Sequence, residues 1–243
     1  MLRLILIVIF LVIFFIISLP LFVIEWLIGK FNPHAKDISS LRIVQSAFKV
    51  ILFIGGVKTT IVGFDNIPKD EPVLFVGNHR SFFDVIISYS MMPHLTGFVS
   101  KKEIEKIPLL RTWMRYLYCL FLDRSNIKEG LKTILSGIDN IKNGISIVIF
   151  PEGTRNDEDG IKRFKQGSFK IAEKSGCKII PMVQNNTSAV FEEHFPRIKR
   201  THTVIEFGTP IDISTLEEEQ RKAIGAYTHD IMLEMYEKNK ALV

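Results

Sequence analysis

The chain is expected to be α/β, with a mixed central sheet flanked by helices and an N-terminal membrane-anchoring helix or helical hairpin. Three observations lead there. From residue 59 onward, short Val/Ile/Phe-rich runs alternate with longer segments of helical periodicity. Before that, Leu4 to Ile24 passes without one charged residue. And several of the strand-like runs end in polar or basic clusters, at the sheet edge where open α/β folds collect ligands.

Taken in order, the uncharged run is about 21 residues, a helix about 30 Å long and enough to cross a bilayer core. Pro20 would kink it, and Trp26 stands where an interfacial aromatic belongs. A cleaved signal peptide fits less well, because the run is long, its basic head is Arg3 alone, and no small-x-small site follows. Lys30, His34, Lys36, Arg42 and Lys49 follow the run. That bias places the main domain in the cytoplasm, on a cell membrane or endomembrane. Residues 41–57 form a second apolar segment with Arg42, Gln45 and Lys49 as a polar stripe. It reads as an interfacial helix, as a helix packed on the domain, or as the second arm of a hairpin. The division expected is an anchor over 1–58 and a catalytic domain over 59–243.

Strands are expected at Thr59–Phe64, Pro72–Asn78, Thr96–Ser100, Cys119–Asp123, Ile145–Phe150, Lys178–Val183 and Thr203–Phe207. Helices are expected at Ser81–Met92, Leu109–Tyr118, Lys128–Ile141 and Gly167–Lys174. Asn126 with Glu129, and Ser214 with Glu217, have capping-box spacing, the second opening an amphipathic C-terminal helix. Pro181 inside an apolar run denies a ladder bond and so predicts an edge strand or a strand end.

Composition narrows the partners. The 243 residues carry a net charge of +5, with 47% hydrophobic residues and a mean hydropathy of +0.21. A modest basic excess beside a very apolar segment suits anionic lipid or a phosphorylated substrate. There is no dense basic stripe with interleaved aromatics, so nucleic acid is not expected. Cys119 and Cys177 lie in apolar runs and read as buried free thiols, with no metal-ligand spacing and no nucleotide loop.

The chemistry concentrates at Asn78-His79-Arg80-Ser81-Phe82-Phe83-Asp84, a strand-to-helix corner. A helix N-terminus favours an ionised Asp84. Such a carboxylate holds one imidazole nitrogen as N–H and leaves the other as a base. A second cluster, Phe150-Pro151-Glu152-Gly153-Thr154-Arg155-Asn156, follows another buried strand and offers a sharp turn with a guanidinium fork suited to phosphate. Asp123-Arg124 ends a third strand, and Lys101-Lys102 a fourth. Taken singly, each is an ordinary solvated strand end. The stretch Phe164-Lys165-Gln166-Gly167 and the run Ile179-Ile180-Pro181-Met182-Val183 allow two readings, the wall of an acyl groove or plain structure.

These blocks closely resemble the glycerolipid acyltransferase family, in particular the 1-acyl-sn-glycerol-3-phosphate acyltransferases. His79 to Asp84 matches its His-x-x-x-x-Asp motif, Phe121 to Arg124 the second block, Phe150 to Arg155 the third, and Ile180 to Val183 the fourth. The resemblance implies that His79 is the general base, oriented by Asp84, on the sn-2 hydroxyl of lysophosphatidic acid. Glu152, Gly153, Thr154 and Arg155 would bind the glycerol phosphate, with Arg124 and Lys101 assisting. Asn78, Gly167 and Pro181 would shape the acyl groove or serve structure. The donor would be acyl-CoA or acyl-carrier protein, with no metal and no further cofactor. Other lysophospholipids or glycerol 3-phosphate as acceptor, a hydrolase, and a non-catalytic membrane lipid-binding protein are the rival readings.

Overall fold

The computed structural model describes the backbone of residues 1–243 and every side chain but that of Ile127. In chain order the elements are α1 (Leu2–Phe31), α2 (Pro33–Gly55), β1 (Lys58–Val62), β2 (Leu74–Gly77), α3 (Phe82–Met91), β3 (Thr96–Lys101), α4 (Pro108–Tyr116), β4 (Leu120–Leu122), α5 (Ile127–Lys142), β5 (Ser146–Ile149), α6 (Lys170–Ser175), β6 (Ile179–Asn185), β7 (His202–Phe207), α7 (Glu218–Lys222) and α8 (Ile224–Asn239). The mixed sheet expected from the alternation is present. Its seven strands run in the order β1-β7-β6-β2-β5-β3-β4. Only β6 and β7 pair antiparallel; the other neighbours are parallel.

Parallel strands are buried on both faces, which is why β2 and β5 are buried at every position without alternation. One core layer gathers Phe75, Val148, Ile180 and Ile205 with Phe83 and Ile87 of α3. The other gathers Leu74, Ile147, Ile149 and Ile179 with Phe169, Met232 and Tyr236. Fully burying one such aliphatic or aromatic side chain is worth about 1.5–3 kcal/mol.

The connections locate a crevice. From β2 the chain crosses through α3 to β3, passing over β5, while from β5 it crosses through α6 to β6, passing over β2. Neighbouring strands whose outgoing chains leave in opposite directions form a topological switch point, open at their carboxyl ends.

The N-terminal helices form an antiparallel hairpin joined at Asn32, whose side chain caps α2. Helix α1 continues unbroken through Pro20. Phe14, Ser18 and Phe22 recur at helical spacing and face Trp113 of α4, while Glu25, one turn on, faces α2. Ser18 accepts from the Trp113 indole at 2.8 Å, Phe22 packs on Trp113, and buried Glu25 accepts from Ser39 and Ser40. The opposite stripe, Ile9, Val12, Ile16 and Val23, is about half exposed. Both helices are long and apolar enough to cross a membrane, and the bare stripe fits membrane association.

Four sequence expectations need correction. The Arg42–Gln45–Lys49 stripe does not face outward as a unit: Gln45 is buried and donates to the Tyr89 and Met92 carbonyls, while Leu41, Val44 and Ile51 join the sheet core. So α2 is both hairpin arm and core helix. Pro181 lies in an interior strand, between β7 and β2. It is tolerated because its ring nitrogen faces the irregular stretch after β7, where only the Pro181 carbonyl is used, accepting from Gly208 at 2.8 Å. The expected Ser214 box is replaced by one at Glu217 and Gln220, since Asp212 takes the Ser214 N–H and hydroxyl; the C-terminal segment also breaks at Ala223 into α7 and α8. Asn126 does cap α5, through Lys128 and Glu129 N–H, but the Glu129 carboxylate goes to Lys132 instead of closing a box.

Candidate active site

The site grows from the ends of β2 and β5. Gly77 closes β2, where a Cβ would fall 2.7 Å from the Phe150 ring and 2.9 Å from Met182. Its absence lets the β5 exit lie against the β2 exit. Asn78 then extends the ladder with its side chain, donating to the Gln184 carbonyl at 2.8 Å and accepting from Gln184 N–H at 2.7 Å. Of the two readings open for Asn78, the structure supports the structural one.

His79 follows, and α3 begins at once. Ser81 is its N-cap, accepting from Phe83 N–H, and Asp84 at the third helical position reaches back to Ser81 N–H. That box also fixes the catalytic candidate. The fully buried Asp84 places Oδ2 2.8 Å from His79 Nδ1 and 2.7 Å from Arg80 N–H, while Oδ1 accepts from the Thr187 hydroxyl. In a neutral imidazole, a carboxylate oxygen at Nδ1 favours the tautomer with its proton there, which leaves the lone pair on Nε2. The imidazole stacks on Phe150, 4.4 Å between centroids and 20° from parallel. Its side chain remains 20% exposed, and among the described residues Nε2 has no hydrogen-bond partner. The ring is held on one face and at one nitrogen and is open at the other. Such a pair can take a proton from a hydroxyl brought to Nε2.

The Phe150–Arg155 turn wraps the same backbone. Gly153 has φ +78°, and its N–H bonds the Phe150 carbonyl. A Cβ there would collide with the Lys165 side chain. Asn156 N–H donates to the His79 carbonyl at 2.7 Å. Buried Glu152 accepts from His79 N–H at 2.7 Å and from Lys162 N–H at 3.0 Å, and burial raises its pKa. Both Glu152 oxygens are thus occupied by backbone donors, and a buried carboxylate repels phosphate. Its geometry suits holding the loop, not the anion contact expected of it. Thr154 is exposed. The Arg155 guanidinium carbon lies over the Phe82 ring, 3.9 Å from its centroid, and one nitrogen is 3.3 Å from Glu192.

Lys101 and Arg124 are not brought into this cluster. They end β3 and β4, two and three strand spacings from β2, about 10 and 14 Å at roughly 4.8 Å per strand. Lys101 pairs with Glu103, both 57% exposed, and Arg124 stands in solvent. Gly167 is exposed on a short 3-10 turn, with open space at its Cβ position. Pro181 belongs to the interior of the sheet, as above. Cys119 and Cys177 are free; burial pushes the Cys119 thiol up to about 11 and raises that of Cys177.

Sequence reasoning passed over Thr187 and Glu192, which reach the site from loops remote in sequence with no local spacing to mark them, whereas Asn156 and Lys165 stood within the motif stretches without a role assigned. The acyltransferase family model matches residues 58–185, which spans the sheet strands β1 to β6 and both motif loops. The chain belongs to the acyltransferase family. Haemophilus influenzae 1-acyl-sn-glycerol-3-phosphate acyltransferase is 31% identical to this acyltransferase over 81% of this chain and 82% of its own. The enzyme of the same name from Borreliella burgdorferi is 27% identical over 83% and 80%. The crystal structure of the 1-acyl-sn-glycerophosphate acyltransferase of Thermotoga maritima superposes with a TM-score of 0.76 at 23% identity, covering 93% of this acyltransferase and 97% of that chain. At that identity the superposition speaks for the fold. It embraces the helical hairpin as well as the sheet.

Proposed function

We propose that this acyltransferase moves a fatty acyl group from acyl-CoA or acyl-carrier protein to the sn-2 hydroxyl of lysophosphatidic acid, giving phosphatidic acid. The observation that carries the reading is the His79 imidazole, bonded to Asp84 through Nδ1 and open at Nε2. The names of the relatives support the acceptor. In this reading Nε2 removes the hydroxyl proton as the acceptor oxygen attacks the thioester carbonyl. The oxyanion then collapses, the C–S bond breaks, and the imidazolium returns its proton to the departing thiolate. No acyl-enzyme forms, because the acceptor hydroxyl is itself the nucleophile; the Ser81 hydroxyl is buried and donates to Glu192. A thioester carries its own driving force, so the step needs neither metal nor nucleotide. Arg155 receives the acceptor phosphate at the mouth of the crevice, and Gly153 allows the turn that delivers it. The hairpin sits in the membrane with the sheet on the cytoplasmic side, in line with the excess of Lys and Arg after the first helix. Acceptor and product then never leave the lipid surface.

Thiol release with and without lysophosphatidic acid tests this on membranes containing the protein. Acceptor-dependent release is expected. Release that ignores the acceptor would make the protein a thioesterase, and none with any lysolipid or glycerol 3-phosphate would make it a lipid-binding protein.

A further inference from the structure

The Arg155 guanidinium is held by a residue far from it in sequence. Glu192 sits on the short turn Glu192–His194 after β6. Its Oε2 accepts from the Ser81 hydroxyl at 2.7 Å, and its Oε1 from Phe82 N–H at 2.8 Å. Those donors are the cap and first residue of α3, where the helix end favours negative charge. The carboxylate is therefore fixed by the same helix N-terminus that carries Asp84. Arg155 meets it through a single nitrogen at 3.3 Å, with the guanidinium carbon over Phe82. The pair is 38% and 23% exposed, and a pair so open to water adds little stability. Its geometric consequence is larger. One N–H of a five-donor fork is taken, Phe82 lies beneath the guanidinium carbon, and the remaining donors have no hydrogen-bond partner among the described residues.

We propose that Glu192 is a positioning residue for phosphate recognition, orienting Arg155 so that its free donors meet the acceptor's phosphate. The proposal rests on Arg155 being the phosphate ligand, as above. A carboxylate that filled the anion site itself would have to give up two good bonds to α3 before each turnover. The long, single contact to Arg155 argues for an orienting arm instead.

The test measures acceptor KM, donor KM and kcat with lysophosphatidic acid in mixed micelles for Glu192→Ala, Glu192→Gln, Arg155→Ala and the double variant Arg155→Ala/Glu192→Ala. Glu192→Ala is expected to raise acceptor KM about tenfold, the scale of one charge-assisted contact. The kcat and donor KM should stay within about threefold, with Glu192→Gln in between because its amide oxygen still accepts from Phe82 and Arg155. In the Arg155→Ala background, removing Glu192 should add nothing, since coupled residues are non-additive. Defects that multiply in the double variant overturn the proposal, as does a fall in acceptor KM for Glu192→Ala, which would make Glu192 a competitor for the site. If Glu192→Ala fails to fold, Glu192→Gln and its double variant carry the same comparison. An unchanged acceptor KM in Arg155→Ala would remove the phosphate reading itself.

Discussion

At the carboxyl ends of β2 and β5 the charged side chains are locked in place, whereas at the ends of β3 and β4 they stand in water. Asp84 and Glu152 are buried, and each spends both oxygens on donors fixed by backbone or by Thr187. Lys101, Lys102 and Arg124 are exposed, the two lysines paired with Glu103 and Asp123 at the surface. The first arrangement suits a proton transfer, which fails if an imidazole turns or moves by an ångström. The second suits contact with a mobile anionic headgroup or membrane surface, where position is loosely defined. One sheet edge thus carries a rigid end and an adaptable one.

The contrast breaks most readily at His79. His79→Ala should lower kcat about 10²–10⁴-fold, the usual worth of general-base assistance, with the thermal midpoint nearly unchanged. Near-parental turnover would show that the rigid end is not the chemical one. Asp84→Ala should fail differently. It leaves Arg80 N–H, Ser81 N–H and the Thr187 hydroxyl without their acceptor, at about 1–3 kcal/mol for each group left unpaired, so activity and stability should fall together. A fully stable Asp84→Ala protein would mean that the carboxylate organises the corner less than its bonds indicate.

The adaptable end should respond weakly. Lys101→Ala and Arg124→Ala are each expected to change acceptor KM by no more than about threefold, because exposed charges at this spacing are screened by salt. Neither should shift kcat or the thermal midpoint. A tenfold loss in either would show that these strand ends close onto the substrate, and would restore them to the phosphate site.

The same contrast separates what was legible in the sequence from what was not. All seven strands and the His79–Asp84 corner were visible, because apolar run, cap and carboxylate lie within a few residues of one another. Pro181 was misplaced. Whether a missing N–H matters depends on what the neighbouring strand offers at that register, and the chain beyond Phe207 turns irregular there. Gln45 was misread for a related reason: an amide at helical spacing looks solvated until the Tyr89 and Met92 carbonyls that receive it are known. Glu152 stood in the right loop with the wrong partner. Thr187 and Glu192 carried no local signal at all.

Glu152 gives the smallest effect and the most specific one. Burial raises its pKa against the pull of two N–H donors, so the folded protein binds a proton there more readily than the unfolded chain does. The sign follows from linkage. A group with a raised folded pKa contributes stability that is complete below its unfolded value and is lost as pH rises through the folded value. Glu152→Gln removes that titration while keeping the shape of the side chain. The stability of the parent relative to Glu152→Gln should therefore decline with rising pH just above the ordinary carboxylate range, then level off. Activity should move the other way over the same window, because a protonated Glu152 presents a hydroxyl where the His79 or Lys162 N–H needs an acceptor. Chemical denaturation and kcat measured across that window in both proteins check the two trends. A stability difference that rises with pH, or a parent-to-variant activity ratio that stays flat across the window, would mean that the carboxylate beneath the rigid end is not the group being titrated.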